Sequence, residues 1–292
     1  MSARAMSRIP VTKTPKVYIG GAFVRSESAR TFKISGADGA FLANIPQCTR
    51  KDLRNAVEAA AKAGPGWARR TPYNRAQILY RLAEMLEARS AELVGSLVRS
   101  GARRQDAAKG VGVCVDRLIH YAGWADKYEQ LLGSVNPVAT RHFSFTVTEP
   151  MGVVGVIAPD SPPLLGLVSM VAPVVACANT VVALASERFP YPAILLGEML
   201  ATSDLPGGVV NILTGFRREL LPTFATHAHL RAVYAAAEGE ERRALRLGAA
   251  GSVKRVRFLD RAGSDWFADS AQGLDFIRGF VEFKTTWHPI GS

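Results

Sequence analysis

Cysteine, histidine and acidic side chains are scarce in this chain, and each shortage narrows what it can be. Its 292 residues include three cysteines, Cys48, Cys114 and Cys177, with no C-x-x-C pair and no metal-ligand spacing. An odd, scattered set excludes a disulfide framework and fits a reducing, cytoplasmic setting. The five histidines are dispersed except for His227 and His229. On a helix an i, i+2 pair diverges, so no metal site is expected. No apolar run crosses a bilayer unbroken, because Val153 to Val182 is interrupted by Pro159, Pro162, Pro163 and Pro173. The first fifteen residues carry Arg4, Arg8 and Lys13 but no apolar stretch of a secretory signal. Asp and Glu number 25 against 36 Lys and Arg, a formal charge of +11. That excess is spread along the chain, which reads as a solvated surface, so nucleic-acid binding is not expected.

What is present is a globular composition, 48% hydrophobic and 21% charged, enough for one large or two ordinary domains. Val17 to Val24 reads as a hairpin around Gly20-Gly21. Leu53, Val57, Ala60 and Ala61 mark a helix that Gly64-Pro65-Gly66 should end. Thr71-Pro72 opens a long helix whose Ile78, Leu82, Met85, Leu86, Leu93 and Leu97 share a face, closed by Ser100-Gly101. A third helix carries Val111, Val115, Leu118, Ile119 and Ala122 and runs through Trp124 towards Leu132. From Gly133 to Thr148 the pattern alternates as a hairpin does.

After Pro150 strands and helices alternate. Strands are expected at Val153 to Ala158, Thr180 to Leu184, Val209 to Leu213, Ala232 to Ala236 and Arg255 to Leu259, with helices between them. Near-continuous apolar strands at this spacing predict a doubly wound parallel α/β sheet, with ligands at the carboxyl ends of its strands. In the tail, Val281, Phe283, Thr285 and Trp287 fall on one side of a strand, with Glu282, Lys284, Thr286 and His288 on the other. Such a strand needs a sheet to join.

Several motifs resemble the aldehyde dehydrogenase superfamily: Glu149-Pro-Met-Gly-Val-Val-Gly-Val-Ile-Ala-Pro159, Val171-Ala-Pro173, Ala178-Asn-Thr-Val-Val182 and Leu205-Pro-Gly-Gly-Val-Val-Asn-Ile212. Tyr121 to Asp126 and the Val17 to Val24 hairpin add to the series, in the family's order from Lys16 to about Leu259. The resemblance implies a Rossmann-type sheet with N-terminal helices and a β oligomerisation element made of a hairpin and a C-terminal strand. The implied division is 1–132 for the N-terminal hairpin and helices, 133–148 for the oligomerisation hairpin, 149–275 for the Rossmann-type domain and 276–292 for the oligomerisation strand. The family's catalytic domain follows the strand matched by Lys254 to Leu259 and ends before the tail. Here only Asp260 to Gly279 fill that gap, so the catalytic domain is expected to be missing.

Aldehyde oxidation needs a thiolate, oxyanion donors, a hydride acceptor and a base. The nucleophilic cysteine belongs to the missing domain, and Cys114 and Cys177 read as core residues. Ser161 stands where the family's oxyanion asparagine does, beside Asp160, and Leu259 stands at the general-base glutamate with Asp260 one residue along. Ser161 could donate one bond, but Asp160 would oppose a developing anion; Leu259 cannot accept a proton, and Asp260, one residue along the strand, points to the other face. Of the NAD or NADP site, Ile157, Pro159, Ser186 and Glu187 remain as vestiges. The ribose lysine is gone, the phosphate-facing turn becomes Tyr234-Ala-Ala-Ala237 before Glu238, and a glycine near the adenine becomes Arg217. Ser186 and Glu187 are expected to cap the helix that opens near Tyr191.

The expectation is therefore a non-catalytic subunit that binds no cofactor and no metal. It resembles the second, truncated unit of fused two-unit aldehyde dehydrogenases. In the family the terminal strand pairs with the neighbour's catalytic sheet, so a chain lacking that sheet implies a full-length paralogue as its hetero-oligomeric partner. Val281, Phe283, Thr285 and Trp287 are the expected interface. One alternative is a family oxidoreductase that still binds NAD(P). The other is an anion or nucleic-acid binder using Arg242, Arg243, Arg246, Lys254, Arg255 and Arg257.

Overall fold

The computed structural model describes residues 13–259 and 265–291. Two small hairpins come first, β1 (Val17–Ile19) with β2 (Ala22–Val24) and β3 (Thr31–Ser35) with β4 (Phe41–Pro46). Five helices follow: α1 (Arg50–Ala68), α2 (Pro72–Ala88), α3 (Ser90–Arg99), α4 (Arg104–Trp124) and α5 (Tyr128–Leu132). Next come β5 (Ser134–Asn136), β6 (His142–Pro150), β7 (Val153–Ile157), α6 (Pro163–Ala176), β8 (Thr180–Leu184), α7 (Tyr191–Leu200) and β9 (Val210–Leu213). The chain continues through α8 (Arg217–Thr226), β10 (Leu230–Ala236), α9 (Gly239–Ala250), β11 (Arg255–Leu259), α10 (Leu274–Arg278) and β12 (Val281–Pro289).

The main sheet has the order β11-β10-β7-β8-β9-β1-β2. Its first five strands are parallel, but β1 pairs antiparallel with β9, so the sheet is mixed where an all-parallel one was expected. Apolar residues of α2, α4, α6 and α7 cover one face, and those of α1, α8 and α9 cover the other. The Leu205-Pro-Gly-Gly motif explains how β1 is recruited. A Cβ at Gly207 would meet the Gly20 carbonyl at 2.8 Å, and Asn211 Oδ1 accepts from Gly20 N at 2.8 Å. Only glycine lets the two turns touch.

Three helix boundaries differ from expectation, one being the break between α4, which ends at Trp124, and α5, which starts at Tyr128, in a helix expected to run on towards Leu132. Helix α1 runs past Gly64-Pro65-Gly66 to Ala68. Pro65 lies on the exposed side, where water can serve the carbonyl it fails to bond, and buried Trp67 anchors the last turn through Nε1 to Val175 O at 3.1 Å. The single long helix from Pro72 is instead two, α2 and α3, broken at Arg89 (φ −110°, ψ 19°). The Arg89 guanidinium ties the bend to Glu92 and to Glu198 at 2.8 Å.

The last strand, β12, pairs along its length with β6, and β5 completes a three-stranded antiparallel sheet. Asn179 holds its base. Its Nδ2 donates to Phe280 O at 2.8 Å while its Oδ1 accepts from Gly152 N at 2.9 Å.

Candidate functional site

In a doubly wound sheet the binding crevice opens where consecutive connections leave in opposite directions. Here that point lies between β7 and β10. Helix α8 begins beside it, and its first residue is Arg217, only 5% exposed. The guanidinium lies across the carboxyl ends of the two strands. Nη2 donates to Ala158 O at 2.5 Å and to Ala236 O at 3.1 Å, while Nη1 donates to Ala236 O at 3.1 Å and pairs with Glu241 Oε2 at 2.8 Å. Burial pushes the Glu241 carboxyl above its ordinary range, and Arg217 pulls it back.

Glu187 completes this arrangement. The amino end of a helix attracts anions because its first N–H groups are unpaired, and at α8 the Glu187 carboxylate accepts from Arg217 N at 2.7 Å. Glu187 therefore serves α8, not the helix near Tyr191 as expected. Helix α7 has Pro190 at its cap position and no side-chain cap. Ser186 closes its own turn, accepting from Phe189 N at 2.8 Å and donating to Asp160 Oδ1 at 2.8 Å. Asp160 Oδ1 also accepts from Glu187 N and Arg188 N. Ile157 is fully buried in the α8 side of the core, and Pro159 is buried against Gly166, where a Cβ would meet its ring at 2.2 Å.

A dinucleotide does not fit the residues present. The crevice holds a guanidinium bonded to both strand ends, and the anion position at the helix terminus holds an internal carboxylate.

The residues matched to oxidation chemistry are also dispersed. Ser161 is exposed, Leu259 is half-buried at the end of β11, and Asp260 lies outside the described residues. All three cysteines are buried. Burial pushes the Cys48 and Cys177 thiols up to about 12 and raises Cys114 as well, the opposite of what a nucleophile needs. Among the described residues, no group of three His, Cys, Asp or Glu side chains gathers to hold a metal, and no helix is long and apolar enough to cross a membrane. His227 and His229 do not diverge as expected. They flank the turn after α8, with rings 6.1 Å apart.

The basic residues offered for nucleic acid are engaged within the fold. Arg242 and Arg246 lie over the Phe258 ring, at 4.9 and 5.2 Å from its centre. Lys254 is buried and donates to Phe224 O and Ala225 O, closing the end of α8. Arg255 pairs with Glu282, Arg257 donates to Asp275 O at 2.8 Å, and Arg243 faces Glu240.

In the last strand, Val281 is 1% exposed and belongs to the core, which corrects its place in the expected interface. Phe283, Thr285 and Trp287 are exposed. The opposite face of the same sheet exposes Val135, Phe143 and Val147.

Sequence reasoning missed the residues that seat the connector between β11 and β12. Trp266 enters the core, and buried Arg117 of α4 donates to Trp266 O at 3.0 Å and to Ala271 O. Tyr121 Oη accepts from Gly273 N at 3.3 Å. An arginine among apolar positions of α4 was the only sequence signal, and it does not name its partner.

The fold and crevice define a doubly wound α/β domain of the dinucleotide-binding type with an attached three-stranded sheet. The sequence profile of the aldehyde dehydrogenase family matches residues 23–259, and the chain belongs to that family. It is 32% identical over 253 residues to a 2-hydroxymuconic semialdehyde dehydrogenase of Pseudomonas sp. (strain CF600), covering 84% of this chain and 52% of that one. It is 35% identical over 221 residues to retinal dehydrogenase 2 of Gallus gallus, covering 74% and 42%. The NAD+ complex of a Bacillus cereus aldehyde dehydrogenase superposes with a TM-score of 0.81 at 26% identity, over 84% of this chain and 50% of that one. The chain spans about half the length of these relatives.

Proposed function

We propose that this chain is a non-catalytic member of the aldehyde dehydrogenase family that assembles, through its three-stranded sheet, with a full-length NAD(P)-dependent relative. The observation that carries this reading is the passage from β11 to β12. It takes only residues 260–280, whose described part is seated on the chain's own core by Arg117, Tyr121 and Trp266. That stretch is too short to form a domain. The occupied crevice supports the same conclusion, since Arg217 and Glu187 stand where a dinucleotide would be held.

The partner follows from what the sheet leaves uncovered. Phe283 is 47% and Trp287 56% exposed, and among the described residues β12 bonds only to β6. A strand with aromatic side chains and one unpaired edge invites addition of another strand. Two copies of a chain lacking the family's catalytic sheet cannot offer each other that strand, so the complement is a relative that has it.

Co-expression with a full-length family member tests this. A mixed oligomer on size-exclusion chromatography is expected, and a chain cut after Phe280 should lose the partner. Two independent homo-oligomers, or co-elution of the shortened chain, would overturn the reading. Calorimetric titration with NAD+ and NADP+ tests the rival, an oxidoreductase that retains its cofactor. Silence is expected, and micromolar binding would establish the rival.

A further inference from the structure

The register of β12 on β6 leaves one set of backbone groups unused. Ile290 N donates to Arg141 O at 3.0 Å, and the ladder runs back from Pro289 opposite His142 to Val281 opposite Pro150. Hydrogen-bonded and non-hydrogen-bonded positions alternate in an antiparallel pair, so Glu282, Lys284, Thr286 and His288 are the residues that bond to β6. Phe283, Thr285 and Trp287 therefore turn their N–H and C=O groups to the outer edge, and all three are exposed. Both ends of that edge are closed. Val281 O, the neighbouring outward carbonyl, already accepts from Arg255 Nη1 at 3.1 Å, and Pro289 has no N–H to offer.

This edge is complementary to itself. Placed antiparallel about a two-fold axis at Thr285, two copies set Thr285 opposite Thr285 and each Phe283 opposite the other copy's Trp287, with both aromatic pairs on one face. On the other face Glu282 comes opposite His288 and Lys284 opposite Thr286, so no like charges meet. The Val281 carbonyl, which Arg255 already serves, then faces the one residue that cannot donate to it, Pro289. Other registers fail. Centring on Lys284 sets lysine against lysine, and centring on Thr286 sets Phe283 against Pro289. Centring on Phe283 or Trp287 sets Thr285 against the occupied Val281 carbonyl or against Pro289.

We infer that two copies of this chain pair edge to edge through β12, joining their three-stranded sheets into one continuous sheet. Two copies cannot exchange strands of a catalytic sheet, but they can pair their own free edges. The inference thus goes beyond capture of a full-length relative: it is a self-paired state of the same edge, which such a relative displaces. A contact of three residues a side is small beside the roughly 1,200 Å² at which stable interfaces begin, so the dimer is reversible, with a Kd of about 1–100 μM.

The test is sedimentation equilibrium of the full chain alone over about 1–300 μM, with cysteine cross-linking to fix the register. A reversible dimer is expected. Thr285→Pro removes an N–H that β6 does not use, so it should raise the dissociation constant at least about tenfold and melt as the parent does where both are monomeric. Thr285→Cys should form a disulfide between copies, because opposite residues of a hydrogen-bonded pair lie about 5.5 Å apart, within disulfide reach. Phe283→Cys alone should not, since its two copies stand four residues apart along the strands, about 14 Å, but mixed with Trp287→Cys it should. The three native thiols are buried and stay out of the reaction. A chain that remains monomeric at about 300 μM and binds only a full-length relative overturns the inference. So does a dimer that folded Thr285→Pro leaves intact, or one that Phe283→Cys cross-links alone as readily as Thr285→Cys. The cysteine series decides the matter if Thr285→Pro does not fold. Failure here leaves capture of a full-length relative standing, because that is read separately by co-expression.

Discussion

Arg217 Nη2 lies 2.5 Å from the carbonyl of Ala158, so a side chain from the first turn of α8 closes the end of a strand 59 residues earlier. The same guanidinium holds Ala236 and Glu241. Arg217→Met removes these donors while keeping much of the side chain's length. The expected loss is about 2–4 kcal/mol of unfolding free energy, measured by urea titration, because it removes the buried donor shared by a half-buried carboxylate and the strand-end carbonyls. A loss within error would mean the crevice is not held by this residue.

Asn179 links Gly152 N, at the start of β7, to Phe280 O, at the base of β12. Asn179→Leu keeps the branched outline of the side chain and deletes its hydrogen bonds. We expect about 1–3 kcal/mol of destabilisation and faster amide exchange along β12 than along β8. Uniform exchange in both strands would contradict this clamp.

Lys254 sets a dependence on pH. Burial pulls its ammonium down to about 8 from the ordinary 10.5. Between those values unfolding takes up a proton, so this lysine's contribution to stability rises with pH from 8 towards 10.5. The three buried thiols act in the opposite sense. Their values are raised from 9.0, so the folded state keeps protons that the unfolded chain releases, and their contribution falls above pH 9. The readout is therefore the stability of the parent relative to Lys254→Met, which should rise between pH 7.5 and 9.5. A constant difference would show that Lys254 keeps its ordinary value.

The same thiols predict silence towards a thiol reagent. Cys48, Cys114 and Cys177 are each buried. Native protein at pH 8 should react with Ellman's reagent only as fast as it unfolds, and all three should react in denaturant. Rapid reaction of one thiol in native protein would mark a site exposed in solution.

On the outer sheet, Trp287→Ala and Phe283→Ala should change the chain's own melting temperature little, since both rings are half exposed. Their effect should fall on capture of the full-length relative, measured by co-purification. Equal loss of fold and capture would assign these rings to the chain's own stability.

Local chemistry was readable where it was strong. The Thr71-Pro72 start of α2 is as expected, with Thr71 Oγ1 accepting from Asn74 N at 3.2 Å. The strands from Val153 onward fall within a residue or two of their apolar runs. Reading failed where a distant contact overrode a local signal. Trp67 reaching Val175 carries α1 past a proline, and Arg89 reaching Glu198 breaks a stripe that looked continuous. The candidate site divides in the same way. The loss of the family's motif residues was visible, but the uses of Glu187 and Arg217 were not.

The sequence alone determined the alternation of apolar strands and amphipathic helices, the family motifs and the short stretch between β11 and β12. These depend on residue type and spacing, and a linear text carries both. Only the tertiary structure decided that Arg217 lies across β7 and β10, and that Val281 is core while Trp287 is not. Each depends on which surfaces meet across long separations, and the strand order that brings them together is set by packing the whole sheet at once.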